Sequence, residues 1–93
     1  MKVADLNPKQ VFSIFDDITR IPRPSKKEEK IRQYLLDFAK KHNLEAKTDK
    51  VGNVLIKAPA TPGHEQAPTV ILQGHMDMVC ESNDKSFNFE TTP

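Results

Sequence analysis

The apolar run Thr69-Val70-Ile71-Leu72-Gln73 constrains the fold more than any other feature of this sequence. Its β-branched and aliphatic side chains follow one another directly, between a proline-containing segment and Gly74. A continuous apolar run with such boundaries is typical of a strand that is buried on both faces. The run is therefore the best candidate for the central strand of an α/β fold.

A first amphipathic helix is predicted over about residues 8 to 19. Asn7 can cap this helix, Pro8 suits its first position, and Gln10 completes a capping box. Apolar side chains recur at helical spacing at Val11, Ile14, Phe15 and Ile18. The segment Ile21-Pro22-Arg23-Pro24 ends the helix, because each proline lacks an N–H donor and forces extended geometry on the residue before it.

A second helix is predicted over about residues 26 to 42, with Ser25 and Glu28 as a second capping box. Its apolar face comprises Ile31, Tyr34, Leu35 and Phe38. Asn43 is expected to end it in the left-handed conformation. Beyond the second helix, two strand-like segments, residues 44–50 and 53–57, are joined by the turn Val51-Gly52-Asn53 and indicate a hairpin. Residues 58–68 are rich in proline and indicate a surface loop. Phe87-Asn88-Phe89 alternates like the start of another strand.

The composition excludes several classes of protein. The 14 basic and 13 acidic residues give a net charge of +1, which provides no electrostatic footprint for nucleic acid or an anionic membrane. No apolar stretch approaches the roughly 20 residues of a membrane-spanning helix. A single cysteine and the absence of an apolar leader favour a reducing, cytoplasmic location. At 93 residues, the chain has room for one domain at most.

The pair His75-x-Asp77 directly after the apolar run is the candidate functional centre. If strand geometry continues past Gln73, the two side chains face the same space, because residues two apart in a strand point to one side. An imidazole can bind a metal through one ring nitrogen while a carboxylate accepts a hydrogen bond from the other. His75 would then be the metal ligand and Asp77 the carboxylate that orients it.

The tripeptide alone is weak evidence for a metal site. With ordinary composition, a chance His-x-Asp somewhere among three histidines arises about one time in seven. A structural salt bridge or exposed pair is then favoured by about two to one, since one His and one Asp cannot close a tetrahedral zinc site. The remaining candidates have ordinary explanations: His42 as a helix-end residue, His64 as a solvated loop residue, and Cys80 as a semi-buried thiol.

Three segments together resemble the M20 metallopeptidases, and within them the branch of cytosolic non-specific, or aminoacyl-histidine, dipeptidases. The segments are Ile21-Pro22-Arg23-Pro24-Ser25-Lys26-Lys27-Glu28-Glu29, Asp49-Lys50-Val51-Gly52-Asn53-Val54 and Val70-Ile71-Leu72-Gln73-Gly74-His75-Met76-Asp77-Met78-Val79. The resemblance covers nearly the whole chain. It implies that residues 1–93 are a partial, N-terminal segment of a zinc-peptidase catalytic domain, without a second domain.

The resemblance also implies a reaction and a site. The parent enzyme would be a homodimer that hydrolyses dipeptides, including Xaa-His dipeptides, with two zinc ions or with other divalent ions such as cobalt or manganese. His75 would be a metal ligand, and Asp77 would be the catalytic carboxylate that orients it. The family's bridging aspartate, its glutamate pair and its later aspartate and histidine ligands would lie beyond Pro93, so the chain alone is expected to be inactive and to bind zinc weakly.

A rival hypothesis from another class is a free-standing small α/β binding or interaction module that uses no metal. A truncated sheet leaves strand edges and apolar faces unpaired and prone to association. A self-contained module would instead melt cooperatively as a monomer. Sedimentation and thermal melting therefore distinguish the two.

Overall fold

The computed structural model describes residues 2–79. These residues divide into two compact units, one formed by residues 2–31 with residues 77–79 and the other by residues 32–76. The predicted strand start at Phe87-Asn88-Phe89 and the thiol of Cys80 lie outside the described residues. Among the residues described, no helix has the length and apolar character needed to cross a membrane.

The first unit begins with a short 3₁₀ helix, Val3–Asp5, which packs against helix α1, Lys9–Thr19. Helix α1 agrees with the predicted range, but its cap is Pro8 in extended geometry, without a side-chain capping bond. The predicted capping box at Asn7 is therefore wrong, since the proline occupies the cap position itself. At the other end, the guanidinium of Arg20 pairs with the carboxylate of Asp16 at 3.1 Å.

Helix α2, Glu29–Lys41, begins three residues later than the sequence predicted. A turn occupies the preceding residues, with the Lys27 N–H donating to the Pro24 carbonyl at 2.9 Å and Lys26 at a φ of 71°. That φ is left-handed and cannot belong to an α-helix of L-residues. The Glu28 carboxylate accepts from the Lys26 N–H at 2.8 Å, so the predicted Ser25 capping box does not form.

The carbonyl end of α2 confirms the prediction for Asn43. Asn43 has a φ of 57°, and the Leu44 N–H donates to the Ala39 carbonyl at 2.8 Å. The Asn43 N–H donates to the Lys40 carbonyl at 3.2 Å, which completes a Schellman motif. Lys40 and Lys41 place positive charge against the helix dipole at this end. Ala39 beside them is fully buried.

The second unit contains the predicted hairpin. Strands β1, Glu45–Thr48, and β2, Val54–Lys57, pair antiparallel in a register that sets Ala46 opposite Ile56. Ala46, Val54 and Ile56 are half-buried, whereas Leu55 on the other face is exposed. The alternation expected of a sheet with one covered face is therefore present.

The predicted central strand at residues 69–73 does not form in this chain. Residues 69–77 belong to no helix or strand, and Val70, Ile71 and Leu72 are 79, 81 and 92% exposed. A strand buried on both faces needs hydrogen-bonded neighbours and a covering layer on each side. The described part of this unit supplies a two-stranded sheet that the run does not join. The composition of the run is strand-like, but pairing decides whether a strand exists.

Candidate functional site

The two residues predicted from the sequence lie in different units. Asp77 belongs with residues 2–31, and His75 belongs with residues 32–76. His75 is exposed, whereas Asp77 is half-buried. Residues 69–77 form no strand, so the premise that aligned the two side chains on one side of a strand is not met here. The contacts that can be given for each residue are therefore those within its own unit.

Asp77 is held by a hydrogen bond from a residue 52 positions earlier in the sequence. The Ser25 hydroxyl donates to the Asp77 carboxylate at 2.5 Å, and the same Ser25 oxygen lies 3.4 Å from the Met78 carbonyl oxygen. The Met78 N–H donates to the Arg23 carbonyl at 2.9 Å, and Pro24 and Met78 form an isolated parallel bridge. Two of the segments that carry the resemblance are therefore in contact. Residues 21–29 fix the backbone at Met78 and the carboxylate of Asp77, which both lie in residues 70–79.

The loop that carries Ser25 is itself tied to helix α1. The guanidinium of Arg23 donates to the carbonyls of Ile18 at 2.7 Å and Ile21 at 3.2 Å. Ile18 lies in the last turn of α1, where its carbonyl also accepts from the Ile21 N–H at 3.1 Å, and Ile21 follows the end of the helix. Pro24, next to Arg23, is buried and has no N–H to satisfy. The side chain of Arg23 thus fixes the loop to the helix, while its carbonyl holds Met78.

The hairpin loop is organised by one carboxylate. Asp49 accepts from the backbone N–H of Val51 at 3.1 Å, from the backbone N–H of Asn53 at 2.9 Å and from the Asn53 amide at 2.8 Å. The Asn53 side-chain hydrogen bond, followed by its backbone bond, lowers the pKa of Asp49 below its ordinary 3.8. The carboxylate is therefore an acceptor already engaged in turn formation, and it has no evident role in chemistry.

Gly52 in the same loop is approached by a side chain from α2. The Arg32 guanidinium donates through Nε to the Gly52 carbonyl at 2.9 Å, and Gly52 has a φ of 92°. A Cβ added at this position would clash with the Arg32 guanidinium, with Nη2 as the nearest atom. The backbone conformation therefore favours glycine here, and a side chain at this position would have to displace the flexible end of Arg32.

The other two histidines have structural surroundings. The His42 ring lies 4.3 Å from the Phe38 ring, centroid to centroid, just after the end of α2. His64 belongs to a turn, where its N–H donates to the Thr61 carbonyl and its carbonyl accepts from the Ala67 N–H. Within residues 2–79, no group of three His, Cys, Asp or Glu side chains could hold a metal. One imidazole and one carboxylate do not complete a zinc site.

Comparison with known proteins finds that this chain is similar to segments of dipeptidases. No family model matches the chain. The cytosol non-specific dipeptidase of Escherichia coli strain K12 is 39% identical over 93 residues, which is 99% of this chain and 19% of that protein. The crystal structure of aminoacylhistidine dipeptidase from Vibrio alginolyticus matches with a TM-score of 0.92 at 39% identity, over 100% of this chain and 19% of that one.

The chain is homologous to a segment of these dipeptidases. It spans about a fifth of the length of each. The resemblance inferred from the three sequence segments is confirmed, and so is the α/β class, since two helices and an antiparallel hairpin match the structure of a dipeptidase. The assignments of His75 and Asp77 stay predictions.

Ser25 and Arg23 hold the segment of Asp77, but the sequence pattern does not identify them as partners of the candidate site. Ser25 carried a local signal for helix capping, and 52 positions separate it from Asp77. Periodicity and capping patterns describe residues a few positions apart, so they contain no information on such a pair. The one available signal was that both segments belong to the motifs that carry the resemblance.

Proposed function

We propose that this chain is the part of a metal-dependent dipeptidase that supplies His75 as a zinc ligand and Asp77 as the carboxylate that orients it. The observation that carries this proposal is the 39% identity across 99% of the chain to a dipeptidase. The proposed substrates are dipeptides, including Xaa-His dipeptides, because one relative is named an aminoacylhistidine dipeptidase. The proposed location is the cytoplasm, and the proposed assembly of the complete enzyme is a homodimer.

The roles of the two residues follow from their chemistry. A neutral imidazole is a common zinc ligand, and a carboxylate that accepts from its second nitrogen fixes the tautomer and raises the basicity of the ring. Bound zinc would supply a Lewis acid for the peptide carbonyl and a water with a lowered pKa. In this chain, Ser25 holds one oxygen of Asp77, which restricts the orientation of the carboxylate.

The chain alone is proposed to be inactive. Its described residues contain no group of three potential ligands, and a catalytic zinc site needs three protein ligands together with an open position. The other ligands and the general base of a two-metal site would come from the parent polypeptide, meaning a polypeptide of the relatives' length that contains these 93 residues.

The test replaces histidines in the parent polypeptide. His75→Ala is expected to lower the rate of β-alanyl-histidine hydrolysis by more than the roughly 10- to 100-fold that removal of an outer-shell partner costs, because a ligand itself is lost. His64→Ala is the matched control, since His64 lies in an exposed turn. Zinc content is measured by atomic emission on the same samples.

Two results would contradict the proposal. A wild-type parent polypeptide with bound zinc that hydrolyses no dipeptide would refute the activity. Equal rates and zinc contents for His75→Ala and His64→Ala would refute the assignment of His75 while leaving the activity in place.

A further inference from the structure

We propose that Ser25 is a positioning residue of the active site: its hydroxyl holds the Asp77 carboxylate in the orientation that Asp77 needs to act. The catalytic consequence rests on the proposed function. The contact itself rests on geometry within one unit of the structure.

The hydrogen bond between Ser25 and Asp77 has the geometry of a strong interaction. Its length of 2.5 Å lies in the range of hydroxyl-to-carboxylate bonds, which are shorter and stronger than bonds between neutral groups. Because a serine hydroxyl has one proton to donate, the Met78 carbonyl at 3.4 Å is at best a secondary acceptor. The proton of Ser25 is therefore directed at Asp77.

The position of the hydroxyl is fixed from both sides. Upstream, Arg23 binds the Ile18 carbonyl in the last turn of α1 and the Ile21 carbonyl just beyond the helix. Downstream, the Lys27 N–H donates to the Pro24 carbonyl across a turn, with Lys26 left-handed at its third position. A left-handed third residue is typical of a type II turn. Ser25, the second residue of this turn, thus projects from a backbone that is held at each end.

The Asp77 side is also fixed through the backbone. The Met78 N–H donates to the Arg23 carbonyl at 2.9 Å, two residues before Ser25. Backbone and side-chain bonds between the same two segments constrain both the location of Asp77 and the rotation of its carboxylate. A helix-capping role for Ser25 is excluded by the late start of α2 at Glu29. What the hydroxyl contributes is the orientation of Asp77.

The test is a double-mutant cycle in the parent polypeptide with zinc bound. Ser25→Ala is expected to lower kcat about 3- to 30-fold with KM nearly unchanged, because a group that acts through Asp77 cannot exceed the roughly 10- to 100-fold cost of losing such a partner. In an Asp77→Ala background, Ser25→Ala should change kcat by less than about 2-fold, since the hydroxyl then has nothing to orient. Ser13→Ala, on the exposed side of α1, is the control for removal of a serine hydroxyl.

A pair of variants with the same shape separates positioning from packing. Ser25→Thr keeps the hydroxyl and should retain most of kcat, whereas Ser25→Val has the same shape without the hydroxyl and should behave like Ser25→Ala. Equal kcat for Ser25→Thr and Ser25→Val would overturn the proposal. It would also be overturned if the losses of kcat from Ser25→Ala and Asp77→Ala multiply in the double variant.

Thermal unfolding tests the contact independently of activity. The proteins compared are the wild type, Ser25→Ala, Asp77→Ala and the double variant. Shifts in Tm for Ser25→Ala and Asp77→Ala that fail to add in the double variant support the bond, and additive shifts overturn it. If the wild-type parent polypeptide shows no activity, the proposed function fails, and this unfolding cycle still decides whether Ser25 holds Asp77.

Discussion

Gly52 combines a backbone conformation that favours glycine with the close approach of a neighbouring side chain. Its φ of 92° lies in the region that L-residues avoid, and its missing side chain makes room for the Arg32 guanidinium. The turn character of Gly52-Asn53 could be predicted from the sequence because it depends on local backbone preference. The approach of Arg32 could not, since it joins a helix and a loop that lie 20 positions apart.

Replacement of Gly52 separates these two features when it is compared with Gly63. Gly63 has a similar φ of 89°, but an added Cβ there would meet nothing within 4 Å. In the parent polypeptide, Gly63→Ala is expected to cost about 1 kcal/mol of unfolding free energy from backbone strain. Gly52→Ala is expected to cost about 2 kcal/mol, because the Arg32 hydrogen bond is lost as well. Urea unfolding measures both, and equal costs would contradict a role for Arg32.

Ser25 marks the limit of residue-level prediction at the candidate site. His75 and Asp77 were identified because they are neighbours in the sequence and stand in a specific motif. The sequence predicts a helix cap at Ser25, because a serine three positions before a glutamate is a capping-box signature. The left-handed Lys26 between them makes that cap impossible, and the Ser25 hydroxyl donates to Asp77.

The hairpin is an element whose turn is fixed by one side chain. Asp49 accepts hydrogen bonds from two backbone N–H groups and one side-chain amide, while Val51 and Asn53 supply the donors. The pKa of Asp49 is lowered in the folded state, chiefly by the Asn53 side chain. A depressed folded-state pKa means that this stabilisation is present above the unfolded-state pKa of about 3.9 and is lost as the pH falls through the folded-state value.

Removal of the Asn53 amide tests this account of the hairpin. Asn53→Ala is expected to raise the pKa of Asp49 toward 3.8, because the largest lowering contribution is removed. Val51→Ala is the control, since it keeps both the backbone donor and the net charge. An NMR titration of the Asp49 carboxyl measures the shift. A pKa that is unchanged by Asn53→Ala would show that another group lowers it.

The elements themselves were largely predictable from the sequence. Periodicity located α1 and α2, and turn residues located the hairpin, because these patterns reflect interactions over a few positions. Both predicted capping boxes were wrong, at Asn7 because Pro8 occupies the cap position, and at Ser25 because a turn intervenes. Element ends depend on a few specific dihedral angles, which composition describes poorly.

At the scale of the whole molecule, the exposed run at residues 69–73 is the feature that most requires explanation. Val70, Ile71 and Leu72 are 79 to 92% exposed, although their composition is that of a buried strand. An exposed apolar run of this kind is typical of an interaction surface or a source of aggregation. This exposure disfavours a free-standing module and agrees with a chain that spans a fifth of its relatives.

The central proposal is that this chain would contribute a metal ligand and an orienting carboxylate to a dipeptidase and would not perform the reaction alone. Three observations support it: the 39% identity to a dipeptidase, the contact of Asp77 with Ser25, and the lack of three clustered ligands among residues 2–79. The most direct test measures β-alanyl-histidine hydrolysis with added zinc, using the 93-residue chain and the parent polypeptide purified side by side. We expect hydrolysis by the parent polypeptide and none above the buffer rate by the chain. Hydrolysis by the chain alone, or none by the zinc-loaded parent polypeptide, would contradict the proposal.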